Sequence, residues 1–274
     1  MVMTLIVALT LVLACATGGI EGQHPETLSL LGEPLYAPPL PKAARERADA
    51  ALSEAYAHYK AAPNDVSAII ALEQAQLALG HVGDALEILT HGIEANQDDA
   101  RLRLERGDSY IRIRKFELAQ KDLRKAAETL PQAHCSLGLA LYLAADYAHA
   151  RDWYGKCAEP GVIGYLSIRR AGGAASPPPT GSLGPAPSTA PPITFPGSVA
   201  SKTPKQREPI ARMYLDAIEL LLADTKRDRA RDALKKIVEK NRDDWMEPAY
   251  IAAEVDYAKV VKAEGKKRKA KGKR

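Results

Sequence analysis

The feature that most constrains this chain is a repeat of 34 residues in its middle third. Four pairs of similar or corresponding positions show this distance: Ala85 and Ala119, Leu89 and Leu123, Gly92 and Ala126, and Gln97 and Pro131. A fixed period of this length indicates small structural units that stack because none of them buries its apolar face alone. Stacks of this kind present an extended surface to other molecules, so the period favours a binding protein over an enzyme.

The composition favours packed helices over sheets. Aromatic residues make up only 5% of the 274 residues, whereas alanine is abundant. Strands are usually enriched in β-branched and aromatic residues, and alanine is the strongest helix former. The net charge is +4, but the last nine residues, KKRKAKGKR, hold seven positive charges, so the rest of the chain is near −3. A basic surface along the whole chain, which is typical of nucleic-acid binding, is therefore not expected.

The N-terminal residues 1–15 are typical of a signal peptide that ends in a lipid-attachment site. The run MVMTLIVALTLVLACA is uncharged and apolar, too short for a membrane-spanning helix of about 20 residues, and small residues follow it. Its end, Val12-Leu13-Ala14-Cys15, resembles the lipobox of bacterial lipoproteins, which implies acylation of Cys15 and anchoring in the envelope membrane. The alternative is a simple signal peptide with an incidental cysteine, and a secreted or periplasmic soluble protein. Residues 16–41 are rich in Gly and Pro and are expected to form a tether.

The 34-residue units are similar to the tetratricopeptide repeat, a helix–turn–helix with large and small apolar residues at set positions. Residues 100–133 fit this pattern best, although Arg103 and Arg106 stand where apolar residues belong. Glu73 stands at a small position of the unit before it, and the unit after it, 131–164, starts three residues early. The resemblance implies an all-α fold, with helical hairpins over residues 42–171 stacked as a short right-handed solenoid.

The repeat pattern ends at a proline-rich segment, residues 172–206, which is expected to be an extended linker. Helical patterning resumes over residues 207–264, and a basic tail, residues 265–274, ends the chain. We expect the C-terminal helices to dock on the repeats, because three helices of this size form a marginal core alone. The tail is either a disordered solubilising segment or a contact with anionic lipid or cell-wall polymer.

The motifs that usually carry chemistry are missing from the sequence. The six histidines form no His-x-x-x-His pair and no zinc grouping with cysteine, and Asp98-Asp99 is typical of a helix N-cap. We therefore expect no catalytic residue, metal, cofactor or small-molecule substrate. Cys135 and Cys157 would be able to bridge in an oxidising compartment. Helix packing nevertheless places them about four residues out of opposition, which favours two buried small side chains over a disulfide.

The tetratricopeptide resemblance also implies a partner-binding groove on the concave face, lined by fixed positions of the first helix of each repeat. Six candidate residues stand at these positions: Gln74, Arg101, Asp108, Arg112, Leu139 and Tyr142. The groove is apolar with two arginines, which suits an amphipathic helix or an extended segment. The alternative is that these residues face solvent or the docked C-terminal helices.

These patterns together predict a non-catalytic scaffold that binds proteins of an envelope assembly. We expect it on the periplasmic side of a bacterial cell envelope, held in the membrane by a lipid anchor. Nucleic acid is not expected as a partner on this composition. The alternative function is binding of an anionic cell-wall polymer or nucleic acid through the basic tail.

Overall fold

The structure is a computed structural model that describes most of the repeat region and the C-terminal helices. It covers the backbone of residues 24–158, 160–174, 204–223 and 227–271, and the side chains of these residues except 204–209 and 267–271. Cys15, with the rest of the expected signal peptide, and most of the proline-rich linker lie outside the described residues. The described part is predominantly helical, which confirms the all-α class.

Eleven α-helices, one 3₁₀ turn and one short hairpin are present in the described ranges. In chain order they are β1 (Thr27–Leu28), β2 (Pro34–Leu35), α1 (Lys42–Ala61), α2 (Val66–Leu79), α3 (Val82–Ala95), α4 (Ala100–Arg112), α5 (Phe116–Ala126), α6 (Ala133–Leu143), α7 (Tyr147–Tyr154), α8 (Gly161–Arg170), α9 (Pro204–Leu222), α10 (Arg227–Lys240), the 3₁₀ turn (Arg242–Asp244) and α11 (Pro248–Lys271).

Helices α1 to α8 stack as successive helical hairpins. Each helix contacts the next one along the chain, and α2, α4, α6 and α8 also contact one another in a row. The even-numbered helices contact one another along the stack more than the odd-numbered helices do, and on this basis we describe them as its inner row. Aspartates begin three helices by accepting backbone N–H bonds: Asp65 for α2, Asp99 for α4 and Asp146 for α7.

The inner helices all end in the same way, with one residue in the left-handed region. These residues are Gly80 (φ +82°), Arg114 (φ +63°), Ala145 (φ +66°) and Gly172 (φ +82°). At each end two backbone N–H groups turn back to carbonyls of the last helical turn, for example Arg114 N to Ile111 O and Lys115 N to Tyr110 O. The first two ends are 34 residues apart and the next interval is 31, which matches the period and the three-residue shift seen in the sequence.

Small residues lie where two helices approach closely. A Cβ atom added at Gly107 in α4 would meet Leu123 Cγ of α5 at 2.5 Å, and one added at Gly138 in α6 would meet Tyr154 Cδ2 of α7 at 2.8 Å. Both distances are far inside van der Waals contact, so only glycine permits these helix pairs to pack as they do.

The two arginines that depart from the repeat pattern form an ion pair between helices. Arg106 donates from Nε to Asp122 Oδ2 at 2.6 Å and from Nη2 to Oδ1 at 2.9 Å, while Arg103 lies 3.6 Å from the same carboxylate. Asp122 is buried in α5. The charged contact therefore replaces part of the apolar packing between α4 and α5.

The disulfide expectation was wrong. Cys135 and Cys157 are joined, with their Cα atoms 5.5 Å apart. The helix-packing register does not apply to this pair because α7 ends at Tyr154, and Cys157 lies in the turn after it. That turn brings Cys157 back beside the first helical turn of α6.

Residues 24–41, within the expected tether, are folded onto the helices. The hairpin pairs Thr27 with Leu35 and Leu28 with Pro34. Glu26 accepts the backbone N–H of Gly83 at 3.0 Å, which fixes the hairpin to the start of α3. In the described ranges no helix has both the length and the apolar character to cross a membrane.

Candidate functional site

The C-terminal helices lie against the inner row of the repeat stack. Helix α9 contacts α8, and α11 contacts both α9 and α6. Their apolar residues, such as Ile218 and Ile251, belong to the same core as Leu104 of α4 and Leu137 of α6. The expectation that these helices dock on the repeats is confirmed, and the docked helices cover part of the face on which the predicted groove lies.

Two of the six candidate groove residues, Leu139 and Tyr142, are buried on the covered part of this face. The Tyr142 hydroxyl lies 2.7 Å from the hydroxyl of Tyr214 in α9, and Tyr214 donates to Asp256 Oδ2 of α11 at 2.7 Å. Because the Tyr214 proton is used on Asp256, Tyr142 is the donor in the first bond. Burial raises the pKa of both phenols well above the ordinary value, so both stay neutral hydroxyls.

A buried arginine completes this hydrogen-bonded chain. Arg170, at the end of α8, donates to Asp256 Oδ1 at 3.0 Å and to the Tyr147 hydroxyl at 2.6 Å. Its guanidinium carbon also lies 4.8 Å from the centre of the Tyr147 ring and 5.3 Å from that of Tyr142. The charge of Asp256 is therefore matched inside the interface, where an unpaired carboxylate would be costly.

A second buried ion pair joins α11 to the turn between α4 and α5. Arg114 Nη2 lies 2.6 Å from Glu254 Oε2, with side-chain exposures of 3% and 0%. The other carboxylate oxygen, Glu254 Oε1, accepts the backbone N–H of Leu30 at 2.7 Å. Arg114 also lies over the ring of Trp245, 5.5 Å from its centre. Glu254 thus ties three separate parts of the chain together.

Two further candidate residues, Asp108 and Arg112, are buried in a polar cluster between α2 and α4. The cluster also holds Glu73 and Glu105, which were not among the predicted groove residues. Burial raises the pKa of Asp108 to about 8 and that of Glu105 to about 7, while the positive charge of Arg112 lowers both. Burial also raises the pKa of Glu73 well above its ordinary value. Asp108 and Glu105 are therefore largely protonated at pH 6.

The remaining two candidates, Gln74 and Arg101, are accessible. Gln74 is half-buried, and the side chain of Arg101 is 54% exposed beside Asp99, the N-cap of α4, at 2.7 Å. The hydrogen bond and charge of Asp99 raise the pKa of Arg101 further, so it stays cationic. The six candidates therefore separate into a buried polar pair, a covered pair and an open pair.

Most of the charged residues of this site gave little signal in the sequence. Glu254 and Asp256 stand within an apolar stretch of α11, IAAEVDYA, and carboxylates in such a stretch are the signal for buried ion pairs. Arg114 and Arg170 gave none, since both follow or end a helix where basic residues are common. Within the described ranges, no group of three or more His, Cys, Asp or Glu side chains is placed to hold a metal ion.

Comparison of the chain with protein-family models, with curated proteins and with solved structures finds no match. The class that the fold and this face define is an all-α stack of helical hairpins whose inner row is packed against the C-terminal helices α9 and α11.

Proposed function

We propose that this chain is a non-catalytic protein-interaction scaffold in a bacterial cell envelope, which binds a helical or extended segment of a partner protein on its concave face. The observation that carries the proposal is that this face already packs against helices of the same chain. Helix α11 contacts α6 and shares an apolar core with it. The carboxylates of α11 are matched to Arg114 in the α4–α5 turn and to Arg170 at the end of α8. A face that holds one helix by such contacts is suited to holding another.

The partner site proposed here is the part of the concave face that the C-terminal helices leave open. Gln74 of α2 and Arg101 of α4 lie on neighbouring inner helices and remain accessible. Ser67 is exposed and Ile70 is half-buried on the same face of α2. An arginine beside polar and apolar side chains favours a partner segment that carries a carboxylate next to an apolar residue.

The proposed location depends on two cysteine features. The lipobox resemblance at Cys15 supports membrane anchoring, and the disulfide between Cys135 and Cys157 supports an oxidising compartment, because cytosolic thiols are kept reduced. Metabolic labelling with palmitate tests the anchor. Label on the wild type that is lost from Cys15→Ala supports it, and label that survives this substitution contradicts it.

The partner site is tested by affinity capture from detergent-solubilised envelopes. The double variant Gln74→Ala/Arg101→Ala is expected to lose partners that the wild type retains. Arg112 is left intact because it is buried and its loss would disturb the fold. The matched control is Arg124→Ala, an exposed arginine on α5 in the outer row. Equal recovery of partners by the double variant and the wild type would contradict the proposed site.

A second candidate function is binding of an anionic cell-wall polymer or lipid surface through the basic tail. The observation that favours it is that α11 remains helical to Lys271, so the tail's basic residues up to that point stand on a helix. Deleting residues 265–274 distinguishes the two functions. A scaffold keeps its protein partners after the deletion, whereas a tail-dependent binder loses its salt-sensitive retention on anionic polymer.

A further inference from the structure

The turn of the N-terminal hairpin exposes an unusual concentration of leucine. Leu28, Leu30 and Leu31 are 57%, 41% and 38% exposed. Three of the eight large hydrophobic side chains that are exposed in the described ranges thus lie within four consecutive positions. Single exposed leucines are common, but a cluster on one turn marks a contact with another apolar surface.

In this leucine turn, residues 28–33, the backbone amides of residues 29–33 are already satisfied inside the protein. Five consecutive N–H groups have acceptors: Ser29 N to Glu33 O (2.7 Å), Leu30 N to Glu254 Oε1 (2.7 Å), Leu31 N to Ser29 Oγ (3.2 Å), Gly32 N to Ser29 O (3.0 Å) and Glu33 N to Ser29 Oγ (2.9 Å). Backbone that enters the apolar part of a bilayer must satisfy its polar groups internally. A peptide strand that added to the turn would instead need free amides.

The charged groups of the hairpin are also engaged by the body of the protein. Glu26 accepts the N–H of Gly83, and Glu33 pairs with Arg242 at 2.9 Å. Trp245 Nε1 donates to Tyr36 O at 2.8 Å, which fixes the end of the hairpin to the segment before α11. The leucines therefore project from a support that is fixed to the body of the protein, and the charge of Glu33 is compensated by Arg242.

The position of the turn in the chain identifies the apolar surface. Leu28 follows Cys15 by 13 residues, a distance that spans at most about 45 Å when fully extended. An acylated Cys15 would lie at the bilayer surface and would keep the leucine turn within reach of it. We propose that Leu28, Leu30 and Leu31 insert into the membrane interface and orient the scaffold on the bilayer. This inference rests on the anchoring in the proposed function.

The test is quenching of tryptophan fluorescence by brominated lipid. The full-length protein is purified from membranes and reconstituted into phosphatidylcholine–phosphatidylglycerol vesicles with and without brominated acyl chains, and the wild-type signal of Trp153 and Trp245 is subtracted. The emission of Leu30→Trp is expected to be lower by a factor of about two or more in brominated vesicles than in unbrominated ones, since side chains in this interface lie about 5–10 Å deep. Leu31→Trp is an independent second site.

The matched control is Leu118→Trp, because Leu118 is similarly exposed, at 43%, but belongs to α5 and not to the hairpin. Strong quenching at positions 30 and 31 with little at 118 supports the proposal. No quenching at positions 30 and 31 in a protein that sediments with the vesicles overturns the contact and leaves the anchor standing. A protein that does not sediment with vesicles contradicts the anchor and the inference together. If the emission of Leu30→Trp shifts with protein concentration in the absence of vesicles, the leucine turn contacts a second copy of the chain, which overturns the proposal.

Discussion

Ala145 adopts a backbone conformation that an L-amino acid reaches only at a cost. Its φ of +66° is in the left-handed region, which is less favourable than the right-handed one by about 1–2 kcal/mol for residues with a Cβ atom. Gly80 and Gly172 occupy the corresponding helix ends without this cost. Arg114 shares the strain, but its side chain pairs with Glu254, so Ala145 is the position where backbone strain is separable from side-chain contacts.

We expect Ala145→Gly to stabilise the protein by about 1 kcal/mol, because it relieves this strain at an exposed position. The reverse change, Gly80→Ala, is expected to destabilise by more than about 1 kcal/mol, since the new Cβ would also meet Pro38 Cδ at 2.8 Å. Urea unfolding followed by circular dichroism measures both. An unchanged midpoint for Ala145→Gly would show that the left-handed turn carries no net strain.

At the scale of elements, α11 is held to the repeats by buried charge as well as by apolar contact. Glu254 accepts hydrogen bonds from Arg114 and from the N–H of Leu30, and it is fully buried. Removing one partner of a buried ion pair leaves the other charge without compensation, which typically costs 3–5 kcal/mol. The N-terminal hairpin, the α4–α5 turn and α11 therefore depend on one carboxylate.

We expect Glu254→Gln to lower the free energy of unfolding by about 3 kcal/mol and to change the near-ultraviolet circular dichroism of Trp245, which lies against Arg114. The matched control is Glu239→Gln on α10, whose exposed pair with Lys235 is worth at most about 0.5 kcal/mol. Guanidinium unfolding of the two variants and the wild type measures the difference. Equal midpoints for all three proteins would contradict this role for Glu254.

At the scale of the whole molecule, the buried carboxyls make stability depend on pH. The folded-state pKa values of Asp108, about 8, and Glu105, about 7, are above those of an unfolded chain, near 4. At pH values between the unfolded and the folded pKa of each group, the folded protein therefore binds more protons than the unfolded one. Stability from these groups is fully present below pH 4 and is lost as the pH rises through 7 to 8.

We expect the melting temperature to fall from pH 5 to pH 9, because each such group contributes up to about 1.4 kcal/mol per pH unit. Asp108→Asn is expected to make the dependence shallower, since an amide does not titrate. Asp216→Asn, at an exposed aspartate of α9, is the control and is expected to leave the slope unchanged. Scanning calorimetry across this range checks the prediction, which a rising or flat wild-type profile would contradict.

The sequence predicted the helical elements well because local signals specify them. Helical hairpins are expected over residues 42–171, and in the structure α1 begins at Lys42 and α8 ends at Arg170. The N-cap role of Asp99 is confirmed as well. The groove prediction was less successful, because four of its six residues are buried and only Gln74 and Arg101 are accessible. Repeat register identifies which side of a helix faces inward, but it does not specify what covers that side.

Sequence alone determined the all-α class, the period of the hairpins, the three-residue shift before the third unit and the break at the proline-rich segment. These depend on spacing, capping and glycine positions, which act over a few residues. Only the tertiary structure decided that Leu139 and Tyr142 share a core with α9 and α11, that Cys135 joins Cys157, and that Glu254 binds the N-terminal hairpin. Such contacts join residues far apart in the chain, and their partners are selected by packing and by the need to pair buried charges, neither of which has a local signature.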